Sequence, residues 1–329
     1  MKSRLFLRCL LMLGAVCSLA AAMAAAAAGA YPERPVRLVV PYPPGGSADV
    51  LARVLAQTLA QREGINVVVE NRPGGGTVIG ARYVAAAPAD GQTLLLGTVS
   101  SHAMMPALNA DVGYDPVRDF TPVASLASIP FVLVARPALG VKDVQGLLAL
   151  ARETPGRISY ASAGVGTSNH LAGELLDAQA GVRTMHVPYR GSAPALNGLL
   201  GDQVDVMFDL VPTAMPHLKT GALVALGSTG AERTSFLPEV PTLREQGLGD
   251  YDVTAWFGLF GPAGLAPDVV ARWDGAVRAA LLDPAVRTQL AGLGVAPDVR
   301  SSSEFADFVA QEWARWRGVV SHAGVVAAP

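Results

Sequence analysis

Pro44-Gly45-Gly46-Ser47-Ala48-Asp49-Val50-Leu51-Ala52 joins an apolar run, Val36-Arg37-Leu38-Val39-Val40-Pro41, to an amphipathic segment that extends to Arg62. An echo of this stretch stands 120 positions later, as Gly164-Val165-Gly166-Thr167-Ser168-Asn169-His170-Leu171-Ala172. In register, Gly46 meets Gly166, Ser47 meets Thr167, Asp49 meets Asn169, and Leu51-Ala52 meets Leu171-Ala172. Each copy sets a glycine loop, a hydroxyl and a capping Asp or Asn at the mouth of a helix. A first helical turn has backbone N–H groups without partners, and the aligned peptide dipoles place partial positive charge there. Glycine lets that backbone approach a bound oxygen, and hydroxyls add movable donors. Neither loop holds Lys or Arg. One such loop alone is ordinary strand-to-helix punctuation. Two of them facing across a cleft form a site for a carboxylate held by neutral donors.

Outward from these loops, strands alternate with helices. Strands are expected at 36–41, 67–70 and 94–97, with helices at 49–62 and 77–87 between them. A second run starts near Thr121. It predicts strands at 131–134, 158–161, 185–188, 204–208 and 224–227, and helices at 143–153, 169–180 and 193–200. This alternation gives an α/β fold class with crossover connections. Two long helices follow, 268–282 and 304–319, the second opened by a capping box at Ser301 and Glu304. Phe305, Phe308, Trp313 and Trp316 recur at helical spacing and read as a face that docks on the core. The expected organisation is two α/β units with a helical tail that returns to the first.

The N-terminus places the chain in a compartment. Lys2, Arg4 and Arg8 precede an apolar stretch from Leu10 to Ala28, and Ala28-Gly29-Ala30 follows with small residues at the cleavage positions. That order is a secretory signal peptide over residues 1–30, with the mature protein beginning near Tyr31. Both cysteines, Cys9 and Cys17, fall inside it, so no disulfide or thiolate site is expected afterwards. An exported chain without bridges relies on an ordinary core, and about 300 residues supply one. Losing Lys2, Arg4 and Arg8 takes the formal charge from −2 to −5. No basic stripe follows a phosphate backbone, so no nucleic acid partner is expected.

Rival chemistries find little support. Gly164-Val165-Gly166 opens a dinucleotide fingerprint, but Asn169 stands where the third glycine belongs, and no phosphate-loop lysine follows Gly45-Gly46. The histidines are 102, 170, 186, 217 and 322, none paired at metal-helix spacing, and no Gly-x-Ser-x-Gly elbow occurs. No cofactor or metal is expected. His102 and His170 read as structural hydrogen-bonding residues, because no partner group is evident for either as a base. Asp209 ends a strand on the carboxyl side, where α/β sites form, and is a candidate acceptor for ligand or water. Asn71-Arg72-Pro73-Gly74-Gly75-Gly76 is a third glycine loop, read chiefly as a tight turn.

Several long motifs carry a family resemblance: YPERPVRLVVPYPPGGSADVLAR from Tyr31, VVVENRPGGGTVIGARYVAAAPADGQTLLLG from Val67, SYASAGVGTSNHLAGELL from Ser159, VPYRGSAPALNGLLGDQVDVMFD from Val187 and WFGLFGPAG from Trp256. In these the chain resembles the receptors of tripartite tricarboxylate transporters, also called Bug-type solute receptors. The resemblance implies a two-lobed periplasmic binding protein of the type II flytrap kind, with crossing hinge strands and C-terminal helices packed on the first lobe. Lobe one would take 31–124 and 251–329, and lobe two 125–250. The family grips a ligand carboxylate between two loops, here Pro43 to Asp49 and Ser162 to His170. The implied ligand-binding residues are Ser47, Ala48 and Asp49 in lobe one, and Ala163, Thr167 and Ser168 in lobe two, with Ser100, His170, Arg190 and Asp209 as supports. Trp256-Phe257 would lie near the hinge. One departure is Val99, where a polar residue is common in the family. The expected partners are a small carboxylate and the membrane permease subunits of a tripartite tricarboxylate transporter, with the receptor a periplasmic monomer. A periplasmic hydrolase or isomerase using the same cleft, and a sensor that signals to a membrane kinase, are the alternatives.

Overall fold

The structure, a computed structural model, describes residues 31, 32 and 34–323. The expected signal peptide, residues 1–30, lies outside them. The first unit is a parallel set of β1 (Val36–Val40), β2 (Val67–Asn71) and β3 (Thr93–Thr98). Helices α1 (Ser47–Glu63) and α2 (Val78–Ala85) cross between these strands. β1 is buried at four of its five residues and β3 at five of its six, as expected for strands covered on both faces. In the second unit β5 (Ser159–Ser162) pairs in parallel with β6 (Met185–Pro188) and β7 (Val206–Leu210). The intervening crossovers are α5 (Ser168–Ala180) and α6 (Ser192–Leu200), α3 (Met105–Leu108) and α4 (Val144–Glu153) lying earlier in the chain.

One strand belongs to both units. β4 runs from Phe120 to Ala135, pairs with β9 (Thr254–Pro262) through Pro130, and pairs with β7 and β8 (Val224–Ser228) from Phe131 onward. The resulting order is β2-β1-β3-β9-β4-β7-β5-β6 in one continuous path. Only residues 131–134 of β4, and none of β9, are read as strand from the sequence. The ladder of β4 with β9 is irregular near Pro122: the register shifts between Pro122 and Ala124, and again between Ser125 and Ala127, while Pro130 pairs with Thr254 in register. Pro212 and Pro216 hide the helix α7 (Val211–Lys219), in which Pro212 sits in the first turn.

The C-terminal helices α8 (Pro267–Leu282), α9 (Pro284–Gly292) and α10 (Ser302–Ala323) return to the first unit, as expected. Trp273 Nε1 donates to the Tyr31 hydroxyl at 2.6 Å, and Arg62 pairs with Asp283 at 2.6 Å. Trp256 on β9 donates to Glu312 at 3.0 Å and meets Phe305 and Phe308 edge to face. Phe305 and Trp316 are buried, so the aromatic spacing is a docking face. The Ser301–Glu304 capping box forms: Glu304 accepts from the Ser301 N–H, and the Ser301 hydroxyl accepts from the Glu304 N–H. No helix among the described residues is long and apolar enough to cross a membrane.

Candidate functional site

The first loop is held from behind. Gly45 adopts φ +92°, a conformation open to glycine, and its N–H donates to Asp49 Oδ2 at 3.1 Å. Arg53 grips both oxygens of the same carboxylate at 2.9 Å, and Asn71 bridges Asp49 Oδ1 to the Tyr42 carbonyl at 3.0 Å each. Burial would raise the Asp49 carboxyl, but these hydrogen bonds from Arg53, Asn71 and Gly45 outweigh it and hold the group below the ordinary carboxylate range. The capping assignment for Asp49 is therefore corrected. The helix starts two residues earlier, its N-cap is Gly46, and Asp49 turns back to brace the loop instead of closing the helix mouth.

The second loop follows the same plan with different parts. Its N-cap is Thr167, whose hydroxyl donates back to the Gly164 carbonyl at 2.6 Å. Asn169 is not a cap either, because its amide donates to the Phe208 carbonyl at 2.6 Å and ties the helix to β7. His170 Nδ1 accepts the Gly166 N–H at 3.1 Å, and the imidazole stacks on His186 at 4.1 Å. Burial lowers the His170 pKa, with Glu174 opposing. A neutral ring is what the Gly166 bond requires, since Nδ1 must offer its lone pair. At neither α1 nor α5 does the cap residue's side chain bond a first-turn N–H. One such N–H, of Ser168, reaches across to Ser100 Oγ at 3.0 Å.

Both helix starts line one chamber between the units. Ser47 and Ala48 contribute from one side, Ser168 and Asn169 from the other. A third helix start, Ser192 after Gly191 at φ +120°, joins them. The sequence reading missed it, although Arg190-Gly191-Ser192 repeats the glycine-then-hydroxyl grammar. Tyr42 and Thr98 complete the polar wall, and Val99, Phe131, Leu210, Ala255 and Phe257 form the apolar one. None of the lining side chains is charged. Of the hinge aromatics, Phe257 walls the chamber while Trp256 packs behind it.

A second, more open space of about 1070 Å³ adjoins the first at Tyr42 and Pro43. It is lined by Ala163, Thr167 and Arg190, together with Gly74 to Gly76. The ten residues singled out thus divide. Ser47, Ala48 and Ser168 line the chamber; Ala163, Thr167 and Arg190 line the outer space; Asp49, Ser100 and His170 hold the loops. Asp209 is buried behind, one oxygen without a partner among the described residues. Burial pushes its carboxyl up to about 7, only partly offset by Thr213 and the Leu210 N–H. His102 is caged by Phe120 and Phe260, and burial takes it down to about 3. His102, His170 and Asp209, the candidate bases, are absent from the lining of both spaces. Among the described residues no group of three His, Cys, Asp or Glu side chains is placed to hold a metal.

Comparison with known proteins decides the kinship. The family described as the tripartite tricarboxylate transporter family receptor matches residues 51–325. The chain belongs to that family. Among relatives of this receptor, Protein BugT of Bordetella pertussis is 36% identical over 318 residues, covering 96% of this chain and 98% of BugT. Rpa4515 of R. palustris, solved with adipate, superposes with a TM-score of 0.86 at 36% identity, over 90% of this receptor and 99% of that chain. MatC from Rhodopseudomonas palustris, solved with bound malate, gives 0.84 at 36% identity, over 88% and 100%. The family is one of solute-binding receptors, not of enzymes.

Proposed function

We propose that this receptor captures a small carboxylate in the chamber between the two helix starts, in the periplasm, and delivers it to the permease of a tripartite tricarboxylate transporter. One observation carries the reading: helix starts from both units, at Ser47-Ala48 and Ser168-Asn169, meet in one chamber without charged side chains. There a carboxylate is neutralised by peptide N–H groups and by two helix dipoles, each contributing about 0.3–1 kcal/mol and up to ~2 when partly buried. Relatives with adipate and malate support carboxylate as the ligand class. In this reading lobe one comprises 31–124 and 251–329, lobe two comprises 125–250, and closure turns about β4 and the chain entering β9. The ligand favours the closed form because it touches both lobes.

Isothermal titration of the protein from Tyr31 onward, as a monomer, tests this against mono-, di- and tricarboxylates and amino acids. Heat with at least one acid is expected, together with a rise in melting temperature. A folded protein silent across the whole panel would remove carboxylate capture.

A further inference from the structure

The polar and apolar walls of the chamber are segregated, and the segregation bears on which acid fits. This step rests on the carboxylate reading above. The apolar wall is built by strand pairing at the point where the units join. Phe131 on β4 faces Leu210 on β7 in register, and Ala255 and Phe257 lie two residues apart on one face of β9. Phe257 pairs with Thr98, and Val99 follows at once in the chain. Val99 is 1% exposed. These five residues line the chamber together with the helix starts at Ser47 and Ser168 and are the apolar part of its lining.

Several of the hydroxyl and amide groups nearby are already engaged with one another. Tyr42 and Thr98 share a hydrogen bond at 3.1 Å, and Ser100 bonds to Ser168 Oγ at 3.3 Å. The Asn169 amide donates to Phe208. A second carboxylate pressed toward this apolar lining would shed its hydration against Val99, Phe131 and Phe257, with no cation and few uncommitted donors in reach. Arg190 lines only the outer space, beyond Tyr42 and Pro43. An alkyl or aryl body loses nothing there and gains by burying its surface.

We propose that the preferred ligand is an organic acid with one carboxylate and an apolar body, seated with its carboxylate at the helix starts and its body on the apolar lining of Val99, Phe131, Leu210, Ala255 and Phe257. Val99 is then a specificity-determining residue, since its methyl groups belong to the apolar lining beside the ligand.

The test compares hexanoate with adipate, six-carbon acids that differ by one terminal carboxylate, by titration calorimetry on the wild-type protein and on Val99→Thr. Hexanoate should bind at least ~10-fold tighter than adipate, a gap expected for one desolvated, unpaired polar group. Val99→Thr keeps the side chain's shape and should narrow that ratio several-fold while the melting temperature of the free protein stays within a few degrees. Adipate binding as tightly as hexanoate, or more so, overturns the proposal and leaves carboxylate capture standing. A folded Val99→Thr variant with an unchanged ratio overturns it as well. Silence toward hexanoate, adipate, malate and citrate together would instead bring down the carboxylate reading on which it rests. The wild-type comparison decides the matter even if the variant fails to fold.

Discussion

Gly76→Ala should separate closure from folding. Gly76 adopts φ +61° in the third glycine loop, and a Cβ placed there would stand 2.5 Å from the Val165 carbonyl oxygen across the cleft. Two costs follow, and they act on different equilibria. An alanine in the left-handed region costs ~1–2 kcal/mol wherever the lobes stand, so it lowers stability alone. In the proposed hinge closure, the clash with Val165 exists only when the units are together. Its far partner is backbone, which cannot swing aside, so the loops must part by nearly 1 Å to restore ordinary contact. Overpacking of this kind costs ~1–3 kcal/mol, which converts to roughly 5- to 150-fold in affinity. Gly64 supplies the control. It has nearly the same backbone conformation, φ +66°, and a Cβ there meets nothing within 4 Å. Gly64→Ala and Gly76→Ala should therefore lose similar stability in urea melts, and only Gly76→Ala should lose affinity for hexanoate or adipate by calorimetry. Equal affinities in the two variants would refute the reasoning, because they would mean that the 74–76 loop does not meet the 163–165 loop in the bound form.

Other outcomes follow from the braces behind the loops. Asp209, raised from 3.8 to about 7, holds its proton more tightly when folded. Its contribution is fully present below its ordinary value and is lost as pH rises to about 7, amounting at most to ~4 kcal/mol. Urea melts of Asp209→Asn between about pH 4 and pH 8 should show a flatter dependence than wild type, and an unchanged slope would count against the burial argument. Asp49→Ala removes the carboxylate that binds Gly45, Arg53 and Asn71. A stability loss of ~1.5–3 kcal/mol and a weaker carboxylate affinity are expected in denaturation and titration experiments. Acid should also weaken binding through His170. Protonation turns Nδ1 into a donor facing the Gly166 N–H, beside Glu174 and the stacked His186, and the lowered pKa of His170 places that loss below its usual range near 6.5. Affinity measured downward from pH 8 should stay flat through the ordinary histidine range and fall only at lower pH, and His170→Gln should lose the acid limb.

What the sequence disclosed of this fold was its local grammar. Strand, glycine loop and helix succeed one another with hydrophobic periods that need no partner to be read, and every expected strand and helix is present, all but 131–134 with ends within about four residues; that one is the tail of a strand that begins at Phe120. The helix starts after the two glycine loops were legible to within two residues because the glycine-then-hydroxyl pattern marks them, although their caps are Gly46 and Thr167 and not Asp49 and Asn169. What stayed hidden was whatever depends on distant pairing. β9 lies between β3 and β4 although some 120 to 160 residues of chain separate them, and its glycines and aromatics carry no alternation that announces a strand. The apolar lining of the chamber joins Val99, Phe131, Leu210 and Phe257 from four strands or strand ends, and no spacing in the chain relates them.

The roles of Asp49 and Asn169 show why residue type alone misassigns function. Both are common capping residues, and both stand beside a helix start, yet each uses its side chain to fasten that start to a neighbouring strand. The consequence is chemical. Had either carboxylate or amide folded over its own first turn, it would have occupied the N–H groups of the proposed carboxylate site, and Asp49 would have set a negative charge at the mouth. By turning these groups backward the fold both stiffens the loops and leaves the peptide dipoles facing the chamber. Preorganised donors of this sort lose little entropy when a ligand arrives. Asp49→Asn keeps the shape and the Gly45 acceptor but releases Arg53, so it should loosen the brace without closing the mouth. It should therefore fall between wild type and Asp49→Ala in carboxylate affinity. Affinity equal to that of Asp49→Ala would show that the charge on Arg53, not the fastening of Gly45, sets the loop.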